Sequence, residues 1–530
     1  MNTAQETAVS HVDAHAARYS DWHQTIWHYA EPAWREYRSA AFFVEKLREA
    51  GFTVEAGSGG MPTAFAAHWS NGAGPTLGAY AEYDAVPGNG QAASTRREPR
   101  DGLSPYAPGH TDPHSALGIG ALAGLLGAQA AIQRHGITGT LRFFGEPAEK
   151  VQGSKLVHGL RGYYDGIDAM LSFHPFYMLP LCNTVRLDTH CGAYYSRIYS
   201  FICDEAETWG LGQTDSPIPA SHSAARAPGA NVALFCMYSS TKATLESMLA
   251  HSGGWSLNEA ILAAGQATAD NLPAHLAQIQ YSWRCPDVAM AEAILAVLDR
   301  NAAHAAATAH CRLVSRFVSR TRPGVANHVL TEATWRNLAA VGAPTYSEEA
   351  KALAREIQTN LGLAPMAEPF LPALSELVPP ADAERQLRLQ MPAWQSNWTS
   401  DDYVEMTWYA PTVRFYIARP MLAAPAGYAG YPAWVANALG GLRPCIDPTV
   451  QVAGKTIAAT LIDLMGDPAT LAAARAEWLT RTSGEKRIEP LLPKDFEAPI
   501  DYRWPEYATT TRGEEWWIPA NAEIDGLGPP

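Results

Sequence analysis

Charge is scarce in this chain. Only 17% of its 530 residues are charged, and 39 Lys+Arg against 53 Asp+Glu leave a formal net charge of −14. No basic stripe runs along any segment, which argues against a nucleic-acid backbone or an anionic membrane as partner. Cysteine is scarce as well: seven residues, at 182, 191, 203, 236, 285, 311 and 445. An odd count in so long a chain is not a disulfide scaffold, and without a CxxC pair it is not a thiolate zinc cluster. The first residues, Met1-Asn2-Thr3-Ala4-Gln5-Glu6, lack the basic region and apolar run of a signal peptide. No apolar stretch approaches the length of a membrane span. Together these absences predict a soluble cytoplasmic protein. What is abundant is apolar material, 47% of residues. It suffices for two or three cores at about 150 residues per domain.

The pattern of that apolar material alternates. Residues 26–50 read as a helix stopped by Gly51. Strands follow at 52–54, 63–67 and 76–81, the last running into Glu82-Tyr83-Asp84, and a Pro/Gly/Asn/Ser-rich loop covers 85–109. Residues 115–134 read as a helix with Ser115 as N-cap and Gly136 as its stop. A strand at 139–144 ends near Glu149, a helix starts at Lys155, and a strand at 169–173 ends at His174-Pro175. Strands alternating with helices predict an α/β fold with a largely parallel sheet, in which ligands gather at the carboxyl ends of strands. Asp84, Glu149 and His174 all fall there. Residues 215–330 read as an inserted α+β domain, flanked by two parts of the α/β domain (16–214 and 331–474) and followed by an extension, 475–530.

Four places carry chemistry. In Gly109-His110-Thr111-Asp112-Pro113-His114-Ser115, Asp112 and His114 offer oxygen and nitrogen ligands suited to Zn, Mn or Co. The same residues also suit a capping turn with solvent-facing histidines. Glu149 has the place of a general base at a strand end, or of an ordinary surface glutamate. His174 is a ligand or a packed core histidine. His222, in Ala220-Ser221-His222-Ser223-Ala224-Ala225, means little alone.

Longer matches join these places. Gly51-Phe52-Thr53-Val54, Pro62-Thr63-Ala64-Phe65, Glu82-Tyr83-Asp84-Ala85-Val86-Pro87-Gly88, Ser400-Asp401-Asp402 with Trp408, and Ala453-Gly454-Lys455-Thr456-Ile457-Ala458-Ala459-Thr460 occur in order. In these the chain resembles the M20 metallopeptidases and amidohydrolases, and among them the aminobenzoyl-glutamate hydrolase B-subunit branch, from near Trp22 to about Leu471. The resemblance implies a catalytic α/β domain with an inserted dimerisation domain, commonly with two divalent metals. It implies Asp112, His114 and His174 as metal ligands, Glu149 as general base, and His222 as a residue lent to the partner subunit's site to stabilise oxyanion charge. Two family ligands are missing. Lys150 stands where the branch has a second glutamate, and Asp447 where it has its last histidine. A lysine cannot ligate while protonated.

Both departures map to one metal, so the resemblance implies a single divalent transition ion (Mn2+ first, then Zn2+ or Co2+), with a Lys150–Asp447 ion pair in place of the second. A second ion on Asp447 and Glu146, or a site too altered to work, are the alternatives. The implied reaction is C–N hydrolysis. The expected form removes an amino group from an aromatic amino acid such as 5-nitroanthranilate. Amide hydrolysis of an aromatic acyl-amino acid is the alternative, and a catalytically degenerate structural subunit is a third. Asn231, where the branch has arginine, weakens the case for a glutamate-bearing substrate. Arg312, Arg316, Arg320 and Arg322 are candidates for holding a substrate carboxylate. The partners expected are a small aromatic substrate and further copies in a homodimer or larger homo-oligomer, with no nucleic acid and no membrane.

Overall fold

The structure is a computed structural model. It describes residues 1–103, 105–176, 178–204, 227–249, 253–265 and 273–500, and the strands 507–510 and 513–516. His222 lies outside the described residues.

The larger sheet takes β1 (Thr53–Ala56), β2 (Phe65–Ser70), β3 (Thr76–Ala81), β4 (Thr140–Gly145), β5 (Ala169–Phe176), β6 (Thr184–Val185) and a late strand, Thr412–Ala418, in the order β1-β2-β4-β3-β5-(Thr412–Ala418)-β6. The four inner strands are parallel, with Leu77 level with Leu141 and Ala169, and Tyr416 level with His174. The outer pairs are antiparallel. Near-continuous apolar sequence in β3, β5 and Thr412–Ala418 is what a strand covered on both faces requires, and all three are buried almost throughout.

Across one face lies the helix His114–His135, pressed against the helix Arg443–Met465. Their backbones approach so closely that a Cβ on Gly124 would stand 2.5 Å from Ile457 Cβ. His114–His135 also has the length and hydropathy of a membrane span, contrary to the sequence expectation that no stretch comes near one. Its apolar character serves the core: 89% of that window is buried inside the protein.

Boundaries differ from the sequence reading where side chains act on the backbone. Residues 26–50 are not one helix. Ala16–Tyr29 ends on Ala30, which is left-handed with φ 41°, and Tyr37–Glu49 begins anew beyond Pro32. Glu31 caps that second helix, accepting the Arg38 and Ser39 amides at 2.9 Å each. Ser115 is no N-cap. It sits inside its helix, hydrogen-bonded to His23 at 3.1 Å, and Pro113 holds the cap position. Gly136 does stop the helix, in the left-handed region at φ 62°.

The second sheet is antiparallel and belongs to the inserted domain. It comprises β7 (Ala193–Ile202), β8 (Ser256–Ala263), β9 (Leu276–Cys285) and β10 (Arg312–Thr321), in the order β10-β7-β9-β8. The helices Ala230–Thr244 and Val288–Thr308 cover it over a core that includes Tyr195, Tyr281, Trp283, Leu234 and Leu298. The sequence boundary at 215 leaves β7 in the catalytic domain, whereas β7 is the strand that pairs with both β9 and β10. Two glycines mark the crossings: the Gly192 amide donates to Thr399 O and the Gly324 amide to Cys191 O, each at 2.9 Å.

After the helix Pro468–Thr482 the chain returns across both domains. Arg322, Arg320 and Arg316 donate to the carbonyls of Ile488, Leu491 and Ala498, and Arg161 of the catalytic domain donates to Phe496 O. Leu492 and Ala498 are buried in a cluster that joins Met61, Leu156 and Val157 to Ile198 and Val318. The strands Tyr507–Thr510 and Gly513–Trp516 pair beyond it.

Candidate metal centre

The carboxyl ends of the parallel strands build one cluster. β3 runs straight into Glu82 and Asp84. The turn after β4 carries Glu149 and Lys150. β5 carries His174, and His114 is the first residue of its helix. Ala148 and Gln152, on either side of Glu149–Val151, are both left-handed, at φ 59° and 53°. Neither is glycine, so the turn is held by its contacts, including the Ala148 amide on Glu36 at 2.7 Å.

His114 is fully buried at the centre. Its Nδ1 lies 2.7 Å from Asp84 Oδ1, which fixes the proton on that nitrogen and leaves Nε2 facing the cluster. Asp84 Oδ2 accepts the Lys150 amide at 2.8 Å, so one carboxylate orients both the ring and the turn. Around Nε2 stand Glu82 Oε2 at 3.3 Å, Glu149 Oε2 at 3.5 Å and Asp112 Oδ2 at 3.6 Å. His174 donates from Nδ1 to Pro175 O at 2.6 Å, and its Nε2 lies 3.6 Å from Asp112 Oδ1. The structure thus brings Asp112, His114, His174 and Glu149 together, and adds Glu82, which the sequence reading placed at a strand end without a role.

These residues fit a divalent cation. Nε2 of His114 has no hydrogen-bond partner although it is wholly buried. Ligand atoms of Glu82, His114 and His174, and of Asp112, His114 and Glu149, lie within 4.8 Å of one another in each group. Burial and Lys150 push the His114 proton off, yet Asp112, Asp84 and Glu82 outweigh them and hold its pKa well above the usual imidazole range. A site that draws a proton onto a buried ring is calling for positive charge. The donors, imidazole nitrogen and carboxylate oxygen, are those of Mn, Zn or Co sites.

Lys150 does not meet Asp447. Its Nζ lies 2.6 Å from Asp112 Oδ2 and 2.7 Å from Glu149 Oε2, between the candidate ligand and the candidate base. Burial raises the Glu149 pKa, but Lys150 and His114 prevail and hold it at about 2. Asp447 belongs to the helix Arg443–Met465, where its neighbours are Ser20, Asp21 and Arg443, and burial lifts its pKa to about 6. Glu146, the other candidate for a second ion, gives Oε1 to His158 at 2.7 Å and Tyr164 at 2.6 Å, and its buried Oε2 has no hydrogen-bond partner. The four arginines proposed for a substrate carboxylate are committed elsewhere. Arg312 pairs with Asp204, Arg320 with Glu292 and Arg322 with Glu405, while Arg316 holds carbonyls of the returning chain. Arg312, Arg316 and Arg320 lie along β10 and Arg322 just beyond its end, and a strand alone does not show which of its faces meets the cleft. Asn231 accepts the Gly265 amide at 2.8 Å.

Beside the cluster opens a cleft of about 330 Å3, with Asp112, Glu149, Lys150 and His174 on one side. Phe176, Met178 and Tyr416 supply apolar surface, and Arg186 and Arg284 supply positive charge. Arg284 comes from β9, so the inserted domain forms part of the wall. Behind the cluster, Lys155 joins Glu82 to Asp402, and Arg414 pairs with Asp401.

No family model matches the chain. It is 26% identical to the B-subunit of p-aminobenzoyl-glutamate hydrolase from Escherichia coli K12 over 350 residues, 66% of this chain and 68% of that protein. Among solved structures it is similar to an aminobenzoyl-glutamate utilization protein from Klebsiella pneumoniae (TM-score 0.52, 14% identity, 86% of this chain and 98% of that one). It is also similar to a candidate aminohydrolase from methicillin-resistant Staphylococcus aureus (TM-score 0.51, 14% identity, 87% of this chain and 100% of that one).

Proposed function

We propose that this chain, a metal-dependent hydrolase on the M20 peptidase/amidohydrolase fold, removes the amino group from a small aromatic amino acid, of which 5-nitroanthranilate is an example. The observation that carries this reading is the cleft. Its volume of about 330 Å3 is at the lower end for small-molecule sites. It has room for one ring bearing an acid group. Phe176 and Tyr416 line it with aromatic surface, and Arg284 offers charge to a carboxylate.

Asp112, His114 and His174 would hold one divalent ion, with Mn2+ as the first candidate. When bound, such an ion polarises water and the bond under attack. Glu149 takes a proton from the attacking water on a carboxylate oxygen. The water oxygen bonds to the ring carbon, the C–N bond breaks, and Glu149 returns the proton to the departing nitrogen, so that aryl amine and water become phenol and ammonia. Lys150 supplies, from inside the chain, positive charge that a second ion would otherwise bring. His222 is proposed to reach the neighbouring protomer's site and donate to the developing negative charge.

The likeness to p-aminobenzoyl-glutamate hydrolase favours a second reading, amide hydrolysis. Incubating Mn2+-loaded protein with 5-nitroanthranilate and, separately, with p-aminobenzoyl-glutamate separates the two. Ammonia and a phenol from the first support aryl-amine hydrolysis. Glutamate from the second, without ammonia from the first, overturns it. Folded, metal-loaded protein that turns over neither would leave the degenerate structural role. Mixing His222→Ala with Glu149→Gln protomers tests the shared site. Activity should reappear in mixed dimers, and no recovery after confirmed exchange of protomers rejects it.

A further inference from the structure

Lys155 opens the short helix Lys155–Leu160 and is fully buried. Its Nζ lies 2.7 Å from Glu82 Oε1 and 2.6 Å from Asp402 Oδ1. Oxygens of Glu82, Asp401 and Asp402 come within 4.8 Å of one another, the spacing of a metal ligand set. Glu82 and Asp402 are both 0% exposed. Asp402 Oδ2 and Glu82 Oε2 have no hydrogen-bond partner, and Glu82 Oε1 meets the ammonium as an ion contact without hydrogen-bond alignment. Asp401 has the guanidinium of Arg414 and the Tyr403 amide, whereas one lysine gives the buried Glu82 and Asp402 a compact charge but few directed bonds, and buried carboxylates left without partners are costly.

We infer that Glu82, Asp401 and Asp402 form a cation cage, able to take a divalent metal, in which the ammonium of Lys155 stands as a permanent internal occupant. Glu82 belongs to both clusters. With Oε1 on Lys155, its Oε2 is held 3.3 Å from His114 Nε2. Lys155 is therefore a positioning residue. It fixes Glu82 against His114 and keeps an ion out of the deeper cage. The inference rests on the reading that Asp112, His114 and His174 hold one ion.

Mn2+ binding to the full-length protein tests it, with bound and free ion counted by equilibrium dialysis and electron paramagnetic resonance. Lys155→Met keeps the length and removes the charge. The wild type should bind one ion per chain and Lys155→Met one more. Lys155→Arg should behave as the wild type, and Glu82→Gln with Lys155→Met should lose the added ion. A folded Lys155→Met that binds no more than the wild type overturns the cage. Should Lys155→Met unfold without metal, folding on addition of Mn2+ supports the cage, and failure to fold with Mn2+ overturns it. A wild type that binds no ion, beside a Lys155→Met that binds one, sinks the reading of the outer site and leaves the cage standing.

Discussion

The ammonium of Lys150 rests 2.6 Å from Oδ2 of Asp112, so a candidate metal ligand carries its counter-charge before any ion arrives. The same ammonium reaches Glu149 and helps to keep that base deprotonated.

Lys150→Met should therefore change the acid side of the pH–activity profile. A cation beside a carboxylate favours its charged form, so removing it raises the Glu149 pKa from about 2 toward the usual range. The base then becomes protonated at a higher pH. The acid limb of kcat/KM should move to higher pH than in the wild type. An unmoved limb would show that Glu149 is not the group titrating there.

Glu149→Gln should keep the fold and the bound metal and lower kcat by at least about 100-fold, the usual scale for a positioned acid–base group. Turnover rates measured beside elemental analysis of the same sample check it. Near-normal turnover would assign the proton transfer to another residue.

Asp447→Asn should retain metal and activity and stabilise the protein at neutral pH. Burial raises the Asp447 pKa from 3.8 to about 6. The folded state thus binds more protons than the unfolded state between those values, and the contribution of this residue is lost as pH rises through about 6. The difference between 3.8 and about 6 sets an upper limit of about 3 kcal/mol, reduced by the solvent that a half-buried residue still sees. Urea unfolding at pH 4 and pH 7 should show the gain at pH 7 only. Loss of metal instead would place Asp447 at the site.

Truncation after Lys486 should lower stability by at least about 3 kcal/mol, from the exposure of the surfaces that Leu492 and Ala498 cover. It should also free the inserted domain to move. Limited proteolysis should then cut near Gly192 and Gly324, where the chain crosses between domains. A truncated protein with the wild-type melting temperature and cutting pattern would show that the segment only decorates the surface.

The catalytic sheet was readable in the sequence because its inner strands are apolar on both faces and turn polar at their ends. Thr76–Ala81 gives way to Glu82, and Ala169–Phe173 to His174. Glu149 and His174 stood out for the same reason, whereas the roles of Asp112 and His114 came with the family resemblance. The place of Asp447 was not readable, because it lies inside the helix Arg443–Met465 and its letter does not say which side of that helix it faces, and its neighbours are Ser20 and Arg443. Glu82, Lys155 and Asp402 were missed because a buried charge and a solvated one are written with the same letter. Their signal lay in the polar residues ending apolar runs. β7 was assigned to the wrong side of the boundary because its apolar run, Ala193–Ile202, would suit either sheet.

The returning segment 488–500 also bears on the order in which the molecule is completed. Its carbonyls are gripped by arginines of β10, a strand synthesised far earlier, and its side chains close the seam beside Met61 and Val157. During synthesis both domains can form their own cores while that seam is still open. The inserted domain, which lends Arg284 of β9 to the cleft wall, is therefore fastened to the other domain by a segment synthesised after both cores.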